Sequence, residues 1–180
     1  MHNRTYHIVY TGIFAVLLII CSWISIPTII PFTLQTFGVF LTLLLLGGKQ
    51  GTLSIFIYLL LGAIGIPVFS GFGAGLGYLL GNTGGYAIGF LFIGVTCWIF
   101  ESLFGEKRIL QLVSLFLGLM FCYAFGTFWF LYISTNSGNA QSIFSILTLC
   151  VFPFVIPDLC KLWFAYLLSK RMNSIIRIRN

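Results

Sequence analysis

Charge is scarce in this sequence: 7% of its 180 residues, with three acidic side chains, Glu101, Glu106 and Asp158. A water-soluble domain carries about 25%, so these residues cannot clothe a globule in polar groups, and a soluble domain is excluded. Histidine is nearly absent. His2 and His7 have no carboxylate or thiol beside them in sequence, so they read as interfacial side chains, not metal ligands. The five cysteines, at 21, 97, 122, 150 and 160, contain no C-x-x-C and lie mostly within apolar runs. They read as small hydrophobes and not as disulfide or metal ligands. Gly47-Gly48-Lys49 matches part of a phosphate-binding loop, but Leu43 and Gln50 stand where Gly and Ser/Thr are required. Gly75-Leu76-Gly77 meets Leu80 at the third glycine of a dinucleotide fingerprint. Paired carboxylates, Ser–His and H-E-x-x-H spacings are missing too. The expectation is a protein that is not an enzyme and carries no metal or cofactor.

What is present is hydrocarbon. Hydrophobic residues make up 59% and aromatic residues 18%, gathered in nearly uncharged runs at about 9–26, 36–48, 50–66, 84–104, 109–132 and 148–169. Runs of this kind are membrane helices, because only a helix or a closed barrel satisfies its backbone inside lipid. The expected fold is an all-α integral membrane protein, with six transmembrane helices in one bundle and a single domain over residues 1–180. The second run spans only about 20 Å at 1.5 Å per residue, against ~30 Å of hydrocarbon. The tight turn at 47–51 makes runs two and three antiparallel neighbours. No small-residue cleavage site follows the first run, which is expected to stay in the mature chain.

The net charge of +6 does not point to nucleic acid, because its placement has another cause. Arg4, Lys49, Lys107, Arg108, Lys170, Arg171, Arg177 and Arg179 all fall on one side of six spans, and the opposite connections carry no charge. The positive-inside rule then puts both termini in the cytoplasm, in a multi-pass protein of the cell membrane. Lys161 is the remaining basic residue, and it lies inside a span.

Two outer connections carry more than turns need. Residues 26–37 hold Pro27 and Pro31, then Thr33, Gln35 and Thr36; residues 65–90 hold nine glycines with Phe69, Phe72, Tyr78 and Tyr86. Glycine lets backbone approach backbone or ligand closely, and a solvated loop has no use for so many rings. The second segment is expected to be a compact cap over the outer face of the bundle. In the last run, FPFVIPDLCKLWFAYLL, Asp158 and Lys161 are three residues apart and share a helix face with Phe154 and Ala165. A charge at membrane depth costs at least ~2.5–3.5 kcal/mol, so such groups face a protein interior and mark a functional site. Pro157 suits a first helical turn, so the regular helix is expected to begin near Asp158 and to favour its carboxylate through the helix dipole. The competing reading is a pair that only neutralises itself.

Taken in order, PFTLQTF, GAIGIPVFSGF, GNTGGYAIGF and PDLCK resemble the BioY family, the biotin-binding S components of energy-coupling-factor (ECF) vitamin transporters. The resemblance covers nearly the whole chain. It implies six helices with the vitamin held from the outer side under capping loops. It also implies partners: a transmembrane coupling protein (the T component) and two cytoplasmic ATPases that drive release inward. Biotin is then the transported ligand and no cofactor is involved. Asp158 suits a ureido N–H, and Gln35 and Asn82 suit the ureido carbonyl and the remaining N–H. Tyr86, Phe69, Phe72 and Trp163 are candidates for the apolar wall. Lys161 either orients Asp158 and meets the ureido carbonyl or reaches the ligand's carboxylate. Asn82 departs from a proline common at that place in the family. The first span should dock on the coupling protein through small residues, here Thr11, Gly12 and Ala15, although the strict Ala/Gly pair is not reproduced. Two alternatives stand beside this: an S component for a different vitamin, and a small ion- or proton-conducting protein gated by Asp158 and Lys161.

Overall fold

A computed structural model describes the backbone over residues 2–26, 32–138 and 141–175. Pro27 and Pro31, and Arg177 and Arg179 of the basic tail, lie outside the described residues. Within them the chain is helical apart from a pair of two-residue strands: α1 (His2–Trp23), β1 (Ser25–Ile26), β2 (Phe32–Thr33), α2 (Gln35–Leu46), α3 (Gly48–Ala63), α4 (Gly75–Leu79), α5 (Gly84–Phe104), α6 (Arg108–Asn136), α7 (Ile143–Cys150) and α8 (Phe152–Ile175). Four segments are long and apolar enough to cross a membrane: Thr5–Trp23, Gly84–Phe104, Arg108–Asn136 and Ile143–Met172. Their outward faces stay apolar, with Ile13, Val16, Phe121, Phe128, Trp163 and Phe164 exposed. Hydrocarbon solvates such a surface and water does not.

The short second helix has a reason to be short. Ten of the twelve residues of α2 are buried, because α1, α3, α5 and α8 pack around it. A helix apolar all round belongs in a core, so α2 meets protein where a longer helix would meet lipid. Gly47 turns the chain into α3 with φ +82°, and a Cβ on Gly48 would strike the Trp98 backbone of α5. Glycine at 47–48 thus makes both the turn and the close approach of α3 to α5.

Glu101 closes the same corner. Its carboxylate accepts from the Gly48 N–H at the start of α3 (2.6 Å) and from Gln111 Nε2 of α6 (2.6 Å), tying three helices at one end of the bundle. A carboxylate at a helix N-terminus gains from the helix dipole. Glu101→Ala is expected to cost about 1.5–3 kcal/mol, the size of hydrogen bonds to a charged group. A thermal melt in detergent reads it, and an unchanged midpoint would show the corner to be held by packing alone.

The glycine-rich segment is an ordered cap, as its rings suggested. Phe69 is fully buried, stacked 4.6 Å from Tyr78 and edge-on to Tyr58, in a space that exists because residue 62 is glycine; a Cβ there would meet the Phe69 ring. Trp23 Nε1 donates to the Pro67 carbonyl, and Trp129 Nε1 to that of Gly81, so both ends of the cap are fastened to helices.

One expectation is corrected. The last helix does not begin at Asp158: the chain breaks at Val151, and α8 starts at Phe152 with Pro157 inside it. Phe154 and Val155 donate to the Val151 carbonyl, so Pro153 takes the first-turn place assigned to Pro157. Pro157 lacks the N–H that would bond the Pro153 carbonyl, leaving one missing rung beside Asp158. Asp158 therefore sits well inside α8 and owes nothing to the dipole.

Candidate ligand-binding site

The β1–β2 pairing, Ser25 with Thr33 and Ile26 with Phe32, delivers Phe32 and Thr33 to the head of α2. Below them lies a cavity of about 100 Å³. Gln35 and Thr36 of α2, Tyr86 and Phe90 of α5, and Leu119, Cys122 and Tyr123 of α6 line it, with Cys150 of α7 and Phe154, Asp158 and Lys161 of α8. Thr33, Ser70, Tyr78 and Thr83 close it from the cap side. Ser70 and Tyr78 bond through their hydroxyls at 2.9 Å, and Gln35 Nε2 donates to the Tyr58 hydroxyl.

Asp158 and Lys161 are 2% and 8% exposed, and Lys161 Nζ lies 2.8 Å from Asp158 Oδ1. Two hydroxyls complete the arrangement. Thr36 Oγ1 donates to Asp158 Oδ1 at 2.8 Å and accepts from Lys161 Nζ at 3.0 Å. Tyr123 Oη donates to Asp158 Oδ2 at 2.6 Å. The Lys161 ammonium also sits 4.2 Å from the centre of the Phe32 ring, whose negative face attracts it, and Phe32 in turn stacks on Phe154. A buried ion pair is tolerable only where its remaining donors and acceptors find partners. Here all but one acceptor position, on Asp158 Oδ2, find them, and the cluster stays on the wall of a cavity.

Sequence reasoning brought Gln35, Tyr86, Asp158 and Lys161 to this cavity. It also nominated four residues that the structure places elsewhere. Trp163 is exposed on the outer side of α8; two residues beyond Lys161 is about 200° around a helix, the opposite face. Phe72 is exposed against Trp23, 5.3 Å between ring centres, turned outward by a positive φ of 58°. Phe69 lies behind Tyr78 and braces it instead of lining the cavity. Asn82 is exposed on the loop between α4 and α5. Among the residues that sequence reasoning left out are Thr36, Tyr78, Phe90 and Tyr123 of the cavity wall and Phe32, which meets Lys161.

The docking residues also divide. Thr11 and Ala15 are buried inside the bundle, where Ser54 of α3 donates to the Thr11 carbonyl. Gly12 faces open space. Of the three, only Gly12 is on a surface a partner could reach.

The description of the BioY family fits residues 1–178. The chain is 38% identical to the biotin transporter BioY of Thermotoga maritima over 172 residues, 93% of this chain and 96% of that one. It is 38% identical to the probable biotin transporter BioY of Pyrococcus horikoshii over 146 residues, 81% of this chain and 82% of that one. Among solved structures it superposes, with a TM-score of 0.81 and 25% identity, on the S component for biotin from an ECF-type ABC transporter, covering 96% of this chain and 93% of that one. An all-helical bundle of this length with a matching family description over nearly every residue leads to one conclusion: the chain belongs to the BioY family.

Proposed function

We propose that this chain is the biotin-capturing S component of an ECF-type uptake transporter, a membrane subunit and not an enzyme. One observation carries the reading: a buried Asp158–Lys161 pair, hydrogen-bonded by Thr36 and Tyr123, faces a capped cavity in a chain of this family. Asp158 accepts from a ureido N–H, and Lys161, already turned toward Asp158, donates to the ureido carbonyl. Gln35 completes the polar set. Tyr86, Phe90 and Phe154 form the apolar wall, while Phe69 acts through Tyr78, and Asn82 stands at the rim. Ser70 and Tyr78 of the cap stand over the cavity and the vitamin within it.

The same reading makes α2 and α3 membrane crossings, six in all. Both termini are cytoplasmic in the cell membrane, and the basic residues mark the inner side. A coupling protein and two cytoplasmic ATPases drive inward release. Calorimetry on the purified protein with biotin, thiamine and riboflavin tests the substrate. Binding of biotin alone is expected; binding of thiamine or riboflavin without biotin would transfer the subunit to another vitamin, and binding of none would remove the transport reading.

The coupling protein is placed against the open face of α1 around Gly12, where the missing side chain lets helices approach. Gly12→Trp is expected to abolish biotin uptake by cells holding the whole transporter while the isolated subunit still binds biotin. Retained uptake would move the docking face off α1. Ala15→Trp is the wrong probe, since Ala15 is 2% exposed and the ring would overpack the core.

A further inference from the structure

We propose that Thr36 and Tyr123 are positioning residues that fix which acceptor sites of Asp158 remain open to a ligand. The proposal rests on the assignment of Asp158 as a ligand acceptor. A lysine ammonium only donates, so the Lys161–Thr36 contact (3.0 Å) makes the Thr36 oxygen an acceptor and sends the Thr36 proton to Asp158 Oδ1 (2.8 Å). The carboxylate paired with Lys161 has no proton to give, so Tyr123 donates to Oδ2 (2.6 Å). Every proton in the cluster then has one direction.

A carboxylate offers about four acceptor sites. Oδ1 holds two donors, Lys161 and Thr36, and Oδ2 holds one, Tyr123. One site is left, on Oδ2. The cluster therefore shows a ligand an acceptor edge held by three helices. Of the three, α2 and α8 pack on each other, but α6 packs chiefly on α5 and α7, so the Tyr123–Asp158 bond ties α6 to α8, two elements that owe their main packing to others. Without the Tyr123 hydroxyl, Oδ2 has two sites to fill from one ligand edge, and the carboxylate is free to turn away from it.

The test is biotin calorimetry on Tyr123→Phe, Thr36→Val, Thr36→Ser and Asp158→Asn, and on Tyr123→Phe combined with Asp158→Asn. Tyr123→Phe and Thr36→Val are each expected to bind biotin roughly tenfold more weakly or worse, the scale of one bond to a charged group. Thr36→Ser, which keeps the hydroxyl, should bind within about threefold of the parent protein. Tyr123→Phe should add little to Asp158→Asn, because a residue that acts through Asp158 has nothing left to act on. Equal losses from Tyr123→Phe in both backgrounds would make it an ordinary structural residue and overturn the proposal. So would parental affinity in both hydroxyl variants. Parental affinity in Asp158→Asn instead rejects the Asp158 contact itself, and the two failures are thereby told apart. If Tyr123→Phe does not fold, the Thr36→Val and Thr36→Ser pair decides by itself: equal affinities refute positioning, and loss in valine alone supports it.

Discussion

Asp158→Asn is expected to weaken biotin binding by about 1.5–3 kcal/mol, the worth of a hydrogen bond to a charged group, or roughly 10- to 150-fold in Kd. Asparagine has nearly the shape of aspartate, so the cavity wall is kept and the charge is removed. The carboxylate accepts from Lys161, Thr36 and Tyr123 at 2.6–2.8 Å. An amide offers one oxygen and one donor group, so at one of its two positions a donor now faces a donor. The Tyr123 hydroxyl can rotate to become an acceptor, and the ammonium cannot. The amide oxygen therefore turns to Lys161, leaving its NH₂ toward Tyr123 and the ligand. A ureido N–H arriving there meets another donor. The loss should appear as a higher Kd in calorimetry, together with a lower melting temperature, because the buried Lys161 ammonium loses its counter-charge. Unaltered affinity would return the Asp158–Lys161 pair to a structural role and sink the contact.

The parts of this site that could be read from sequence are those whose signal is local. Asp158 and Lys161 stand out because charges are rare in apolar runs, and their spacing of three residues puts them on one face whatever the rest of the chain does. The ordered cap announced itself through glycine and aromatic content. The partners of the pair had no such signal. Thr36 lies 122 residues from Asp158 in sequence and Tyr123 lies 35; a hydroxyl in a membrane helix is unremarkable until the fold aims it at a carboxylate. Phe69 was legible as a cap residue but not as a buried one, since its space depends on Gly62 of α3. Trp163 is a different case. Helical period alone puts it opposite Lys161, and aromatic character is a weaker guide than that geometry. Pro157 misled because proline is equally compatible with a first turn and, at the loss of one hydrogen bond, with a helix interior; the deciding residue was Pro153, one turn earlier. Thr11 and Ala15 show the limit of spacing arguments. A small-residue pair lets some helix approach closely, but here that helix is α3 of the same chain.

Removing both charges should have a different outcome from removing either. Lys161→Met leaves Asp158, 2% exposed, as a buried carboxylate without its cation; Asp158→Leu strands the ammonium over Phe32. Breaking a buried pair from one side costs about 3–5 kcal/mol, and each single variant should melt well below the parent. The double variant Asp158→Leu/Lys161→Met buries no charge. Replacing such pairs by apolar side chains is often neutral or stabilising by about 1–4 kcal/mol. In this site the Tyr123 and Thr36 hydroxyls both lose Asp158 as their acceptor, an opposing cost of about 1–3 kcal/mol each that roughly offsets this gain, so the net change is small. The double variant is therefore expected to recover the parental melting temperature while binding no biotin. Adding Tyr123→Phe to it should raise the melting temperature further, because one of the two orphaned hydroxyls goes with it. A double variant that melts as low as the singles would mean that the ion pair pins α8 to the bundle and that its presence at membrane depth is a matter of folding. Biotin binding by the double variant at parental strength would remove the pair from the ligand site altogether. Recovered stability with lost binding is the one outcome a purely structural ion pair cannot produce. That result would assign the two charges to what enters the cavity and not to the fold.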